Sequence, residues 1–151
     1  MSFRTFEDLI RFRVNPGQKK RVAVANPDVH TLEAMQMAVE AGIVQPILTG
    51  CETEIRENLA ALYGGEYLAE SGMTEAEVID APDQAAACRL AVELVRSGKA
   101  DFLMKGKVDT SVFLKAVVNK EQGLGCGRLM SHIAMFEVPG MDAGSSHIRI
   151  E

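Results

Sequence analysis

Short apolar runs and amphipathic stretches alternate along most of this chain. The apolar runs predict strands over residues 22–25, 46–50, 77–81 and 101–104, and the first run is apolar on both faces, as in a parallel strand covered by helices. Apolar residues at helical spacing predict helices over 3–14, 32–41, 52–63 and 84–97, with another helix starting at Asp109 or Thr110. Strand and helix follow each other through short loops, which is typical of βαβ crossovers. The pattern therefore predicts an α/β fold with three layers, α/β/α, around a mainly parallel sheet.

Caps and glycines predict where several of these helices begin and end. Asp28 or Thr31 can cap the helix over 32–41, and Asp83 can cap the helix over 84–97. Glycines follow three of the helical stretches and predict their ends, at Gly42, Gly98 and the pair 64–65. Residues 66–75 give no regular pattern.

The end of the chain departs from this alternation. Another strand is predicted over 131–138, but after Pro139 the sequence has no helical period and only a three-residue alternation over 148–150. We predict an N-terminal α/β portion over 1–139 and a divergent or truncated tail over 140–151. A frayed C-terminus would explain the same pattern.

Composition excludes several broad classes of function. The 151 residues carry a formal net charge of −5, without a basic tail or a basic helix, which argues against nucleic-acid and membrane-surface partners. The three cysteines form neither a metal-ligand pair nor a disulfide framework, so reduced thiols are expected. No apolar stretch has the length of a signal peptide or a membrane span. These features predict a cytoplasmic protein.

A basic glycine turn follows the fourth predicted strand. Lys105, Gly106 and Lys107 lie at the carboxyl end of that strand, where ligands gather in open α/β sheets, and Gly106 permits the backbone to approach a ligand closely. A helix starting at Asp109 or Thr110 would point its first N–H groups to the same place, which suits a phosphate. The turn lacks the spacing of a Walker A loop, and a simple exposed basic turn would have the same sequence.

A second glycine-rich segment, residues 123–128, ends in Arg128 and is followed by Ser131. Three glycines in five residues permit a nest of N–H groups, to which Arg128 and Ser131 could add donors. The alternative is a plain loop joining a helix to a strand. His132 as an acid–base residue and Cys126 as a nucleophile have less support, because no partner for either follows from the spacing.

The sequence of residues 104–139, MKGKVDTSVFLKAVVNKEQGLGCGRLMSHIAMFEVP, resembles the phosphate acetyl/butyryl transferases, and most of all the phosphate butyryltransferase branch. The resemblance extends more loosely back through residues 1–103. It implies an isocitrate/isopropylmalate-dehydrogenase-like fold with an active site between two domains, usually in a dimer or larger homo-oligomer. It also implies exchange of phosphate and coenzyme A on a short-chain acyl group. Coenzyme A is then a substrate or product, and neither a resident cofactor nor a metal is expected.

Carried onto this chain, the resemblance implies that five residues face the phosphate or acyl phosphate: Lys105, Gly106, Thr110, Arg128 and Ser131. Two departures from the family pattern matter. Cys126 stands where a threonine-like residue is expected, and the family continues with a second half that is expected to carry the principal base. No catalytic residue is therefore assigned, and the chain is expected to be an N-terminal portion that could be inactive alone.

Two other classes of function are weighed against the acyltransferase. A non-catalytic α/β module could bind an anionic ligand or a partner subunit through an unfinished sheet. A decarboxylating dehydrogenase on a related fold would need a carboxylate cluster for a divalent metal and an adenine-nucleotide fingerprint, and the sequence offers neither.

Overall fold

A computed structural model describes residues 19–70, 73, 76–127, 135–136 and 149–150, of which residues 63–70, 135–136 and 149–150 are described by their backbone alone. The chain divides into two compact units, one formed by Met1–Asn15 with Gly127–Glu151 and the other by Pro16–Cys126. The second unit contains the sheet and helices that carry the candidate site.

The larger unit alternates strand and helix from its first described element to its last. In chain order the elements are β1 (Lys20–Ala25), α1 (Val29–Glu40), β2 (Val44–Gly50), α2 (Glu52–Glu70), β3 (Glu77–Asp80), α3 (Gln84–Arg96), β4 (Phe102–Lys105) and α4 (Thr110–Val117). All four strands are parallel and lie in the order β3-β2-β1-β4. The chain thus moves outward from β1 to β3 and then returns to place β4 on the other side of β1. The predicted α/β class with a parallel sheet is confirmed.

Helices cover both faces of this sheet because the strand side chains alternate between two apolar clusters. On one face Val22 and Val24 of β1 pack with residues of α1 and α2. On the other face Ala23 and Ala25 pack with residues of α3 and α4. The small alanines leave room for α3, whose Cys88 and Ala91 are fully buried. These are the three predicted layers; the more specific isocitrate-dehydrogenase-like fold stays a prediction.

The predicted boundaries agree with the structure within one residue for α3, whereas α1 begins at Val29, three residues before the predicted start, and α2 ends later than predicted. Asp28 and Asp83 are the N-caps of α1 and α3, and each carboxylate accepts a hydrogen bond from the backbone N–H of the residue three positions later in the chain. After α1, Gly42 has φ +71° in the left-handed region, and its N–H donates to the Val39 carbonyl oxygen. The prediction that residues 64–65 end the following helix is wrong, because α2 continues to Glu70. Glycine inside a helix costs only about 1 kcal/mol relative to alanine, so a local stop signal can be overridden.

The smaller unit contains one described strand pair. Met135–Phe136 (β5) and Arg149–Ile150 (β6) are antiparallel, with Met135 opposite Ile150 and Phe136 opposite Arg149. The pair falls within the predicted strand over 131–138 and the predicted alternation over 148–150. The helix predicted over 3–14 lies outside the described residues.

Asp28 gives the fold a dependence on acid pH. Thr31 donates its hydroxyl and its backbone N–H to the Asp28 carboxylate, at 2.6 and 3.0 Å, and these bonds lower the pKa of Asp28. A carboxyl group whose pKa is lower in the folded state stabilises the fold above its unfolded pKa, and this stability is lost as the pH falls through the folded pKa. We expect the free energy of unfolding to decrease below about pH 4. The decrease should be smaller in Asp28→Asn, which cannot titrate.

Chemical denaturation of both proteins between neutral and acid pH measures this difference. Part of the decrease in stability at acid pH should remain in Asp28→Asn, because the backbone N–H of Arg21, with Lys20 nearby, also lowers the pKa of Asp101. Superimposable pH profiles for the wild type and Asp28→Asn would rule out a contribution from Asp28.

Candidate functional site at the carboxyl ends of β1 and β4

The candidate site lies where the chain changes direction across the sheet. From β1 the chain proceeds to β2 on one side, whereas β4 lies on the other side of β1. The loops that leave the carboxyl ends of β1 and β4 therefore diverge, and such a switch point is where open α/β sheets form a ligand crevice. The basic turn predicted to bind phosphate begins at this point, since Lys105 is the last residue of β4.

The turn after β4, residues 105–109, is hydrogen-bonded to the end of β1. The Gly106 N–H donates to the Ala25 carbonyl oxygen at 2.9 Å, and the Lys107 N–H donates to the Asn26 carbonyl oxygen at 2.8 Å. In return, Asn26 Nδ2 donates to the Lys107 carbonyl oxygen at 2.8 Å. The pairing of β1 with β4 is thereby extended beyond the strands, and the start of the turn is held against the sheet.

Gly106 is required in this turn because the end of β1 lies against it. A Cβ atom at Gly106 would be 2.4 Å from the Asn26 carbonyl oxygen and 2.8 Å from the Ala25 carbonyl oxygen, far inside normal contact distance. The sequence indicated a close backbone approach at Gly106, with a ligand as the partner. In the structure the close partner is the backbone of the chain itself; contact of Gly106 with a phosphate stays a prediction.

The two lysines of the turn have different surroundings. Lys105 Nζ donates to the carbonyl oxygens of Gly106 and Val108, at 3.2 and 2.9 Å, so it links the two sides of its own turn. An ammonium group has three donors, and one remains after these two bonds. Lys107 is exposed, and its ammonium group has no hydrogen bond to a described residue. Both cations are thus present at this end of the sheet, but only Lys105 is hydrogen-bonded to the backbone of the turn.

Thr110 is the first residue of α4, and the start of this helix lacks a side-chain cap. Asp109 occupies the N-cap position, yet its carboxylate accepts no N–H of the helix, in contrast to Asp28 and Asp83. The Asp109 N–H is directed to Gln84 Oε1 of α3 at 3.4 Å. The first N–H groups of a helix carry partial positive charge, and here they remain without a carboxylate partner from the cap. Thr110 is exposed beside them.

The structure therefore brings together three of the five residues predicted to bind phosphate, along one strand end and the helix start that follows: Lys105, Gly106 and Thr110. Arg128 and Ser131, and also His132, lie outside the described residues. The described part of the second glycine-rich segment follows α4, where the Gly123 N–H donates to the Asn119 carbonyl oxygen and the Leu124 N–H to that of Val117. Convergence of the two turns on one phosphate stays a prediction.

Cysteine and metal chemistry receive no support from the described residues. Cys51, Cys88 and Cys126 are all unpaired. Burial raises the pKa of the Cys88 thiol despite the nearby Lys105, which disfavours a thiolate nucleophile there. Within the described ranges, no group of three or more His, Cys, Asp or Glu residues is arranged to hold a metal ion. No helix in those ranges is long and apolar enough to cross a membrane.

Asn26 is the residue of this site that sequence analysis missed. It has φ +50°, and apart from glycines no other described residue has a positive φ. Its N–H donates to the Thr49 carbonyl oxygen at 2.7 Å, so it contacts the end of β2 as well as the turn after β4. The sequence signal was an asparagine directly after a buried strand, since asparagine tolerates the left-handed region better than most residues.

Comparisons with known proteins find relatives of one kind. The chain is 42% identical over 140 residues to a phosphate butyryltransferase of Clostridium beijerinckii, covering 92% of this chain and 44% of that protein. It is 35% identical over 133 residues to a phosphate acetyltransferase of Thermotoga maritima, covering 88% of this chain and 42% of that protein. The chain thus spans less than half the length of these curated relatives. A scan against models of protein families finds no match.

A solved structure supports the same relationship. The crystal structure of a branched-chain phosphotransacylase from Enterococcus faecalis V583 matches with a TM-score of 0.51 and 25% sequence identity. The match covers 68% of this chain and 33% of that chain.

Proposed function

We propose that this chain, which aligns over 92% of its length with a phosphate butyryltransferase, belongs to the phosphate acetyl/butyryl transferase family and acts in phosphate acyl transfer. The reaction is the exchange of phosphate and coenzyme A on a short-chain acyl group. The observation that carries this proposal is the 42% identity over 140 residues with a phosphate butyryltransferase.

The chemistry at the carboxyl ends of β1 and β4 is compatible with this reaction. A phosphate oxygen attacks the thioester carbonyl carbon, and a tetrahedral intermediate forms whose oxygen carries negative charge. When the C–S bond breaks, coenzyme A leaves as a thiolate and takes up a proton, and the acyl phosphate remains. Negative charge thus accumulates beside a phosphate, and fixed cations and N–H groups reduce the barrier because they need no reorganisation.

The residues of this chain supply such groups in our proposal. Lys105 and Thr110, with the N–H groups at the start of α4, bind the phosphate oxygens, and Gly106 permits the turn to lie close to them. Arg128 adds a planar, bidentate donor for the same phosphate, and Ser131 adds a hydroxyl. We assign no catalytic base.

The proposal also covers the substrates, the cofactor, the cellular location and the assembly state. Acyl transfer involves no net oxidation or reduction, so we propose coenzyme A as a substrate or product and no resident cofactor. The substrates are an acyl-CoA and inorganic phosphate. Cytoplasmic location and assembly into a homo-oligomer are part of the proposal.

The decisive experiment measures phosphate-dependent release of coenzyme A from butyryl-CoA and acetyl-CoA, together with equilibrium binding of inorganic phosphate and coenzyme A. Thiol release that requires phosphate supports the acyltransferase. Binding of phosphate or coenzyme A without release would favour the non-catalytic module instead. Absence of both binding and release would contradict the proposal.

Arg128→Ala is expected to reduce phosphate-dependent turnover more than tenfold in an active preparation. Loss of one positioned donor to a developing oxyanion typically costs about 3–4 kcal/mol of transition-state stabilisation. Arg96→Ala is the matched control, because Arg96 lies at the end of α3 and pairs with Glu93 at 3.8 Å. Equal phosphate kinetics in Arg128→Ala and wild type would remove Arg128 from the site.

A further inference from the structure

We propose that Asn26 is a positioning residue that holds the phosphate-binding turn after β4 in place. The inference rests on the proposed function, since it assigns a role in binding to the turn of residues 105–109. Asn26 is not proposed to contact substrate. It acts through the backbone of Lys107, which lies between the two residues whose carbonyl oxygens bind the Lys105 ammonium group.

The contacts of Asn26 join three strand ends. Its N–H donates to the carbonyl oxygen of Thr49 at the end of β2. Its carbonyl oxygen accepts the Lys107 N–H, and its Nδ2 donates to the Lys107 carbonyl oxygen, both at 2.8 Å. The peptide groups on both sides of the Lys107 Cα are therefore bound to one asparagine, which fixes the direction in which the Lys107 side chain leaves the turn.

The side chain of Asn26 is itself confined. A Cβ atom at Gly50 would lie 3.1 Å from Asn26 Oδ1, so the amide lies close to the end of β2 on one side and to Lys107 on the other. The left-handed backbone conformation of Asn26, with φ +50°, places its side chain in this position. Aspartate would keep the shape of the side chain but has no Nδ2 donor, while glycine would keep the backbone conformation and lose the side chain.

The turn is thus held from two directions. Asn26 binds it from the neighbouring strand, and Lys105 links its carbonyl oxygens from within. Since α4 begins directly after the turn, its first N–H groups take their position from the same bonds. Loss of the Asn26 donor should loosen the turn while β1 to β4 stay paired.

Two variants and a control test this role. In Asn26→Asp and Asn26→Gly we expect hydrogen exchange of the Lys107 N–H to become at least tenfold faster, because the turn that contains this N–H is no longer held by the side-chain amide of Asn26. We also expect the dissociation constant for inorganic phosphate to rise at least fivefold in both. Asn58→Asp adds the same charge on α2 and should match the wild type in both measurements.

The outcomes separate this inference from the proposed function. A wild-type chain that binds neither inorganic phosphate nor coenzyme A contradicts the proposed function, and with it the role of the turn in binding. The inference is overturned if the wild type binds phosphate but Asn26→Gly keeps the wild-type hydrogen exchange of the Lys107 N–H and the wild-type phosphate affinity. In that case only the backbone conformation of Asn26 matters. Should Asn26→Asp fail to fold, Asn26→Gly decides, because glycine adopts the left-handed conformation without strain.

Discussion

Gly106→Ala is expected to lower the free energy of unfolding by about 3 kcal/mol, the upper end of the usual cost of overpacking. The added methyl group would lie 2.4 Å from the carbonyl oxygen of Asn26, directly after the central strand β1, and backbone atoms there cannot move away as the end of a flexible side chain can. Chemical denaturation measures the loss. The variant should also bind inorganic phosphate more weakly, since β4 and its turn must move away from β1.

Gly125→Ala is the matched control for this effect. A Cβ atom at Gly125 has no neighbour within 4 Å, and the residue is exposed in the second glycine-rich segment. The free energy of unfolding of Gly125→Ala should stay within about 0.5 kcal/mol of the wild-type value. Equal stability of the Gly106 and Gly125 variants would contradict the close approach of β1 and β4 described above.

Leu48→Ala is expected to destabilise the protein by about 2–5 kcal/mol. Leu48 is fully buried in β2, between Val24 of β1 and Val78 of β3 in the register of the sheet. It belongs to the apolar cluster under α1 and α2, so its removal leaves a cavity between the sheet and these helices. Thermal and chemical unfolding of the variant measure the loss.

Leu114→Ala provides the contrast for the core substitution. Leu114 is on α4 with 42% of its surface exposed, and its removal should change the free energy of unfolding by less than about 1 kcal/mol. A Leu48→Ala variant as stable as Leu114→Ala would contradict the assignment of Leu48 to the core.

Much of the fold could be predicted because strand and helix have different apolar periods. The run at residues 22–25 is apolar on both faces, and in the structure these four residues are all fully buried in β1. The end of α2 could not be predicted, since consecutive glycines are a local stop signal and a helix can continue through them at a cost of about 1 kcal/mol each. Local propensity was overridden there.

The candidate site was predictable where it is local in sequence. Lys105, Gly106 and Thr110 lie within six residues, and the rule that ligands bind at strand carboxyl ends places them together. Asn26 could not be assigned in the same way, because its partner Lys107 is 81 residues away. The sequence indicated that the backbone approaches closely at Gly106, but only the order of the strands identifies the neighbour as β1.

This separation along the chain has a consequence for folding. Strand β4 pairs with β1, whereas β2 and β3 lie between them in sequence, so the turn after β4 meets the end of β1 only after a loop of about 80 residues has closed. Closing so long a loop is entropically costly and slow compared with local helix formation. A nascent chain that has not yet extended past residue 107 contains the residues of the first three strands but lacks the partner of Asn26. Under the proposed function, phosphate binding would therefore report the pairing of β4 with β1.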